Sequence, residues 1–399
     1  MIFLEVRIDL NVLGKIFFLL FVVIALASGL SEPLCRNSIR IIFFVTFVLA
    51  FTDQRVLDLA IKHKRLLMPM LAFTGWMIIS AFHSGHVPDS SDSSVYWIYF
   101  SHNMLLFIPL ALFVKTEKQL NRLLIVLAIS LLLNDIVVAL QIYYGSERPV
   151  TFLRGAFMQS ALLYTILLPI YLILALRAER TYVKVLCRLF FIVSLGAFIL
   201  LNTRGAWLAM LIVLPTAFVF YVRDAKKFFA IGLSLAIVFG VFVNFIPQLH
   251  SRFDSIGNFS SEQSVTERVL IWKSALAMIE DNPIIGVGFG NFEQKYRHEY
   301  ILPDARERWQ SHAHSNYLQF WAETGVIGLA LHCFMFGSIL MWAWRRRESS
   351  YAMMLFFSTL GFLLYSLTDY TYTSFGAMRV YWFMFAICLR GVDFSGDKL

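Results

Sequence analysis

Apolar runs long enough to cross a bilayer follow one another along this chain, separated by short polar stretches in which Lys and Arg cluster. A helix needs roughly 17–25 mostly apolar residues to traverse the hydrocarbon. Runs of this kind predict spans near 13–31, 36–52, 66–83, 96–114, 123–144, 157–176, 189–202, 206–222, 228–248, 324–344, 351–369 and 373–389. The first run has no small-residue cleavage site and leads into further spans, so it reads as a retained helix. The rhythm breaks once. Residues 250–323 form one long extramembrane segment, and within it the stretch 264–280 is apolar at i, i+3, i+4 and i+7. Thr266 is placed to cap a helix there and Asp281-Asn-Pro to stop it, which predicts an amphipathic helix over the membrane face, followed by a second. The expected fold is all-α: a polytopic integral membrane protein of about 12 transmembrane helices. Residues 1–249 hold the first nine, 250–323 the long loop, and 324–399 the last three with a short tail.

Composition agrees. The 399 residues are 59% hydrophobic and 15% charged, where a soluble domain has about a quarter of its residues charged. The net charge of +8 does not indicate nucleic acid, because the basic residues sit in short clusters between apolar runs. With the N-terminus inside, the cytoplasmic pieces are 1–15, 53–65, 115–122, 177–188, 223–227, 345–350 and 390–399, and they carry most of the 34 Lys and Arg. Both termini are therefore expected inside. Cys35, Cys187, Cys333 and Cys388 have no paired spacing and suggest neither a disulfide framework nor a zinc site.

This orientation puts the chemically interesting residues on the external face. His83 to Ser94 is a polar loop without Lys or Arg, and a short loop carries Arg148 and Arg154. Arg204 lies in the turn Asn202-Thr-Arg-Gly-Ala-Trp between two apolar runs. An interfacial arginine beside a Trp anchor commonly snorkels to lipid headgroups. The tight Thr-Arg-Gly turn also favours a fixed anion contact, for which a guanidinium fork fits a phosphate bidentately. Arg268 sits one helical turn before Trp272 and alone would be a solvated helix charge; Arg154 is a weaker candidate of the same kind. Pro283-Ile-Ile-Gly-Val-Gly-Phe-Gly-Asn-Phe lacks the strand–helix context of a nucleotide loop, so Gly286, Gly288 and Gly290 are expected to build a close turn against the membrane surface. His312-Ala-His314-Ser-Asn316 opens the tenth span. An i, i+2 pair does not share a helix face, so the segment should start extended and become helical near Ser315 or Asn316. Three readings stand beside each other: a helix cap with buried histidines, a metal site for which only His298 and Glu323 lie near in sequence, and an imidazole base whose ordinary pKa of about 6.5 suits proton transfer at neutral pH.

The stretch from His312 to Leu329, with Arg268-Val-Leu-Ile-Trp-Lys-Ser-Ala-Leu, Asn282-Pro-Ile-Ile-Gly-Val-Gly-Phe-Gly-Asn-Phe and Asn202-Thr-Arg-Gly-Ala-Trp, resembles the bacterial O-antigen ligase/polymerase superfamily over about 200–330. The resemblance implies a GT-C-like, multi-span glycosyltransferase of the inner membrane whose site faces the periplasm. The implied donor is a glycan on undecaprenyl diphosphate, used without metal, cofactor or nucleotide sugar. It implies His314 as general base, with Arg204 and Arg268 holding the diphosphate. His312, Asn316, Arg154 and Glu323 are weaker candidates for contact with diphosphate or acceptor. The departure His314-Ser315-Asn316 from the family's His-Asn pair leaves the role of Asn316 open. Chain length, one long external loop and basic cytoplasmic loops favour a ligase that moves O-polysaccharide onto lipid A–core with inversion. An O-antigen polymerase, a protein O-oligosaccharyltransferase and, from another class, a lipid-linked glycan flippase are the alternatives. A flippase should carry ionisable residues near mid-span, where Asp135 is the one clear acid.

Overall fold

The computed structural model describes residues 10–83, 101–146, 148–151, 157–222, 226, 240 and 263–395. Among them every regular element is helical. In chain order these are α1 (Leu10–Ala27), α2 (Glu32–Leu49), α3 (Gln54–Lys62), α4 (Lys64–His83), a 3-10 turn (Ser101–Leu106) leading into α5 (Phe107–Phe113), α6 (Glu117–Tyr143) and α7 (Phe157–Arg177). They continue with α8 (Thr181–Leu200), α9 (Arg204–Tyr221), α10 (Gln263–Asp281), α11 (Phe292–Lys295), α12 (Asn316–Arg345), α13 (Ser350–Tyr365) and α14 (Phe375–Phe394).

Seven of these helices are long and apolar enough to cross a membrane, or eight if α2 and α3, bent by 106°, count as one span. Three shorter apolar helices, 11–27, 103–113 and 350–365, fall below that length. The expected twelve is thus not reached among the described residues, and the ninth span, 228–248, lies almost wholly outside them. The seventh expected span lengthens to Thr181–Leu200, and the tenth begins eight residues early, at Asn316. Local signals explain the ends. Thr116 and Gln119 form a reciprocal capping box that starts α6. Ser315 in extended backbone precedes α12, where the i, i+2 spacing of His312 and His314 placed the change to helix. Thr266 lies inside α10 and not at its cap, whereas Asp281 does end that helix.

Two helices form the centre of the bundle: α14, with Tyr381, Trp382, Phe383 and Phe385 fully buried, and α7. Outer helices turn apolar residues such as Ile192 and Leu211 outward, as a lipid-facing surface requires. Asp135 of α6 is buried, and its two carboxylate oxygens accept from Tyr164 Oη of α7 at 2.6 Å and Ser194 Oγ of α8 at 2.7 Å. The one mid-span acid is therefore used to tie three helices together.

Above this bundle sits a second, smaller core. Ile271, Met278, Phe292, Tyr296 and Ala313 pack between α10, α11 and the start of α12. The glycine-rich turn after α10 packs on a break in α12, not simply on a membrane surface. Val287 N and Gly288 N donate to the Ala322 and Glu323 carbonyls, and Val326 N donates to the Pro283 carbonyl. Gly325 makes the break, with φ +67 and ψ −174, a region open essentially to glycine alone. A Cβ there would collide with the Ile284 carbonyl, and one on Gly286 with the Glu323 backbone. Gly325→Ala should therefore cost several kcal/mol, the sum of roughly 1–3 kcal/mol of backbone strain and the displaced turn. A large drop in the thermal midpoint of the solubilised protein is the expected reading, against little change for Gly337→Ala, whose Cβ meets nothing within 4 Å.

Candidate active site

Four segments meet at one end of the bundle: the turn into α9, the start of α10, the His312–Ser315 run, and the connection 366–374 between α13 and α14. The first three carry the sequence candidates. The fourth organises them.

Ala313 is the pin of the His312–Ser315 run. Its carbonyl accepts from Trp272 Nε1 at 2.9 Å, and its N–H donates to Gln319 Oε1 at 2.7 Å. With the middle residue buried, His312 and His314 emerge on the same side, ring centroids 4.5 Å apart in an edge-on arrangement. His314 takes up left-handed backbone, φ +49. Asn202, two residues before Arg204, does the same at φ +59, and among the described residues these are the two non-glycine positions that do. Such conformations cost about 1–3 kcal/mol each and persist where the surroundings over-determine them, often at functional sites.

Behind the histidines lies Asp369, almost fully buried. Its Oδ1 is 3.5 Å from His314 Nδ1, a close charge contact though long for a hydrogen bond. Its Oδ2 accepts from Tyr365 Oη at 2.9 Å, and Oδ1 accepts from Tyr370 N at 3.0 Å. Burial pushes the Asp369 carboxyl up. The contacts with His314, His312 and Tyr365 outweigh it and hold the group below the usual carboxylate range. Burial also pushes the His312 imidazole down, with the neighbouring His314 and Arg268 acting in the same sense against the pull of Asp369, to about 4. His312 is therefore neutral at working pH, with Ser311 Oγ 2.8 Å from its Nδ1.

The arginines reach the same connection. Arg268 Nη1 donates to the Thr368 carbonyl at 3.0 Å, and its charge acts on His312 and Tyr365. Arg204 is the first residue of α9, and a Cβ on the next residue, Gly205, would run into the Thr368 side chain. Thr368 thus separates the Arg204 turn, the Arg268 guanidinium and the Asp369–His314 contact by one residue's width. A guanidinium at a helix start adds to the positive potential of the first-turn N–H groups, an arrangement suited to an anion.

Asn316 and Glu323, the weaker candidates for ligand contact, make hydrogen bonds within the protein in this structure. Asn316 is fully buried; its Nδ2 donates to Ser366 Oγ and Thr371 Oγ1, and its Oδ1 accepts from Thr371 N, so it clamps α12 to the 366–374 connection. Glu323, also buried, accepts from Phe292 N at 3.1 Å and so secures the glycine turn. Arg154 and the 84–94 loop lie outside the described residues. Asp369, Tyr365 and Thr368 were missed from sequence because the expected eleventh span ran through them.

His312, His314 and Asp369 offer one ligand atom each within 4.8 Å of one another, a set that could hold a divalent ion. The third member is Asp369 and neither His298 nor Glu323, the residues nearest in sequence.

Residues 189–333 match the family model described as O-antigen ligase. This segment belongs to the O-antigen ligase superfamily. The match includes Arg204, Arg268, His312 and His314 and ends before the 366–374 connection, whose place in the site comes from the structure alone. No curated protein matches the chain. The match supports a glycosyltransferase-like function of the O-antigen ligase/polymerase type for this all-helical membrane protein.

Proposed function

We propose that the protein is an O-antigen ligase of the bacterial inner membrane, with both termini cytoplasmic and the site facing the periplasm. It moves O-polysaccharide from undecaprenyl diphosphate to a sugar hydroxyl of lipid A–core. The observation that carries this reading is the gathering of the Asp369–His314 contact, Arg268 and the Arg204 turn around Thr368. Such a reaction needs a base for the attacking hydroxyl and cations for the departing diphosphate, side by side. With His314 Nδ1 turned to Asp369, Nε2 is the nitrogen left for an acceptor hydroxyl. The hydroxyl oxygen bonds to the anomeric carbon from the face opposite the diphosphate. Its proton passes to Nε2 as the bond from anomeric carbon to phosphate oxygen breaks. The negative charge that builds on the leaving lipid diphosphate meets Arg204 and Arg268. Asp369 carries no part of the bond exchange and holds the imidazole.

One long external segment, 250–323, favours ligase over polymerase. A flippase reading loses its support at Asp135, whose carboxylate is taken up by Tyr164 and Ser194. The lipopolysaccharide of a deletion strain tests the choice. Core without O-chain, together with long polymer accumulated on its carrier, is the expected result. Core bearing one repeat unit would make the protein a polymerase, and unchanged lipopolysaccharide would overturn both.

The compact His312, His314 and Asp369 set supports a second reading, in which a divalent ion replaces the base by activating the acceptor hydroxyl. Transfer by purified protein in the presence of EDTA separates the two. Full activity is expected, and loss restored by one divalent ion would establish the metal reading.

A further inference from the structure

The segment 302–311, which feeds directly into His312, is held rigidly from below and left open above. The buried Glu267 carboxylate accepts from Arg306 N at 3.2 Å and Glu307 N at 3.5 Å, and Tyr296 Oη donates to the Glu307 carbonyl at 3.3 Å. The Gln310 amide adds a hydrogen bond to the Glu307 carboxylate. On the open side Arg306, Glu307, Arg308 and Trp309 line a depression of about 420 Å³, within the roughly 300–1,000 Å³ of small-ligand sites. Trp309 is 66% exposed. The Arg297 guanidinium lies 3.4 Å from the centre of its ring, covering one face and fixing its plane.

A fixed aromatic ring ringed by charged hydrogen-bonding groups suits a carbohydrate. The C–H face of a pyranose packs on the ring, and its hydroxyls find guanidinium donors and carboxylate acceptors at the rim. A lipid anchor would instead have apolar neighbours, and here Asp304, Arg306, Glu307 and Arg308 are all exposed beside it. Three residues span at most about 11 Å, so the ring stands within a short oligosaccharide's length of His312 and His314. We infer that Trp309, Arg297 and the rim of this depression form a glycan subsite that holds sugar units next to those reacting at His314. This rests on the glycan-transfer reading above.

The test uses the full-length protein in membranes and in detergent, with carrier-linked polysaccharide as donor and lipid-free polysaccharide, released from the host's own lipopolysaccharide, as competitor. Trp309→Ala should raise KM for the glycan substrate about tenfold with a smaller change in kcat, the mark of binding shared by ground and transition states. It should also abolish inhibition by the free polysaccharide. Trp309→Phe should keep most of both. Wild-type KM and competition in Trp309→Ala would overturn the subsite. So would activity lost in membranes while free polysaccharide still competes, which would make Trp309 a membrane anchor. His314→Ala in the same assay keeps the two proposals apart: inactive His314→Ala beside a wild-type Trp309→Ala removes only the subsite, whereas active His314→Ala removes the reaction itself.

Discussion

His314→Ala should stop glycan transfer while the protein reaches the membrane at its ordinary level. A positioned general base contributes roughly 10²–10⁴-fold to rate, and the described site offers no second imidazole in an equivalent place, because the ring of His312 has Ser311 at Nδ1 and lies farther from the Asp369 carboxylate than the 3.5 Å of His314. The fold should survive. The His314 side chain is 14% exposed, and Asp369 keeps Tyr365 and Tyr370 N as partners when the ring is removed. Left-handed backbone at 314 does charge alanine about 1–2 kcal/mol, so His314→Asn is the better second variant. Asparagine accepts that conformation and has no basic nitrogen. Both variants should leave lipid A–core bare of O-chain with normal protein in the membrane fraction. Transfer retained by either would remove the base assignment.

Much of the fold was legible because a bilayer imposes long apolar runs, and the helices at 64–83, 157–177, 204–221 and 375–394 lie within a few residues of their expected places. The errors have physical causes. The 54–62 stretch is a short amphipathic helix bent back from α2 by 106°, which hydropathy reads simply as a cytoplasmic loop. The helix start at Asn316 agrees with the expected onset near Ser315 or Asn316, and only the span boundary at 324 came late, because Asn316 and Gln319 are satisfied by partners distant in sequence or on the preceding loop and so extend the helix ahead of the apolar run.

The site was half legible. His314, Arg204 and Arg268 stood out as polar residues beside apolar runs, and the i, i+2 spacing of His312 and His314 predicted a non-helical start to this segment, although His314 takes up left-handed and not extended backbone. Ser366-Leu-Thr-Asp-Tyr-Thr-Tyr-Thr-Ser carries no motif and reads as the end of one span and the start of another. Its signal was topological. The expected orientation puts this connection on the same face as the histidines, and an acid in such a turn is a candidate partner for an imidazole. Only the packing shows that Asp369 meets His314 and Thr368 meets Arg268.

Asp369→Asn should lower kcat by two or more orders of magnitude with KM little changed. The substitution preserves shape and removes a charge that the surroundings hold ionised, since Asp369 lies below the usual carboxylate range. An ionised carboxylate at Nδ1 keeps the proton there, leaves the Nε2 lone pair for the acceptor hydroxyl, and steadies the imidazolium once the proton has moved. An asparagine amide can donate to Nδ1 instead, which puts the ring proton on Nε2 and blocks it as a base; in Ser-His-Asp enzymes the same change costs about 10⁴ in kcat. Asp369→Glu restores the charge at a displaced position and should recover part of the rate. A purely structural role would instead make both variants fall together in thermal stability and membrane level, because the contacts to Tyr365 and Tyr370 N would be disturbed in each. Wild-type kcat in folded Asp369→Asn would show that the imidazole needs no carboxylate behind it. Recovery of that variant by added divalent ion would mean that Asp369 serves as a metal ligand.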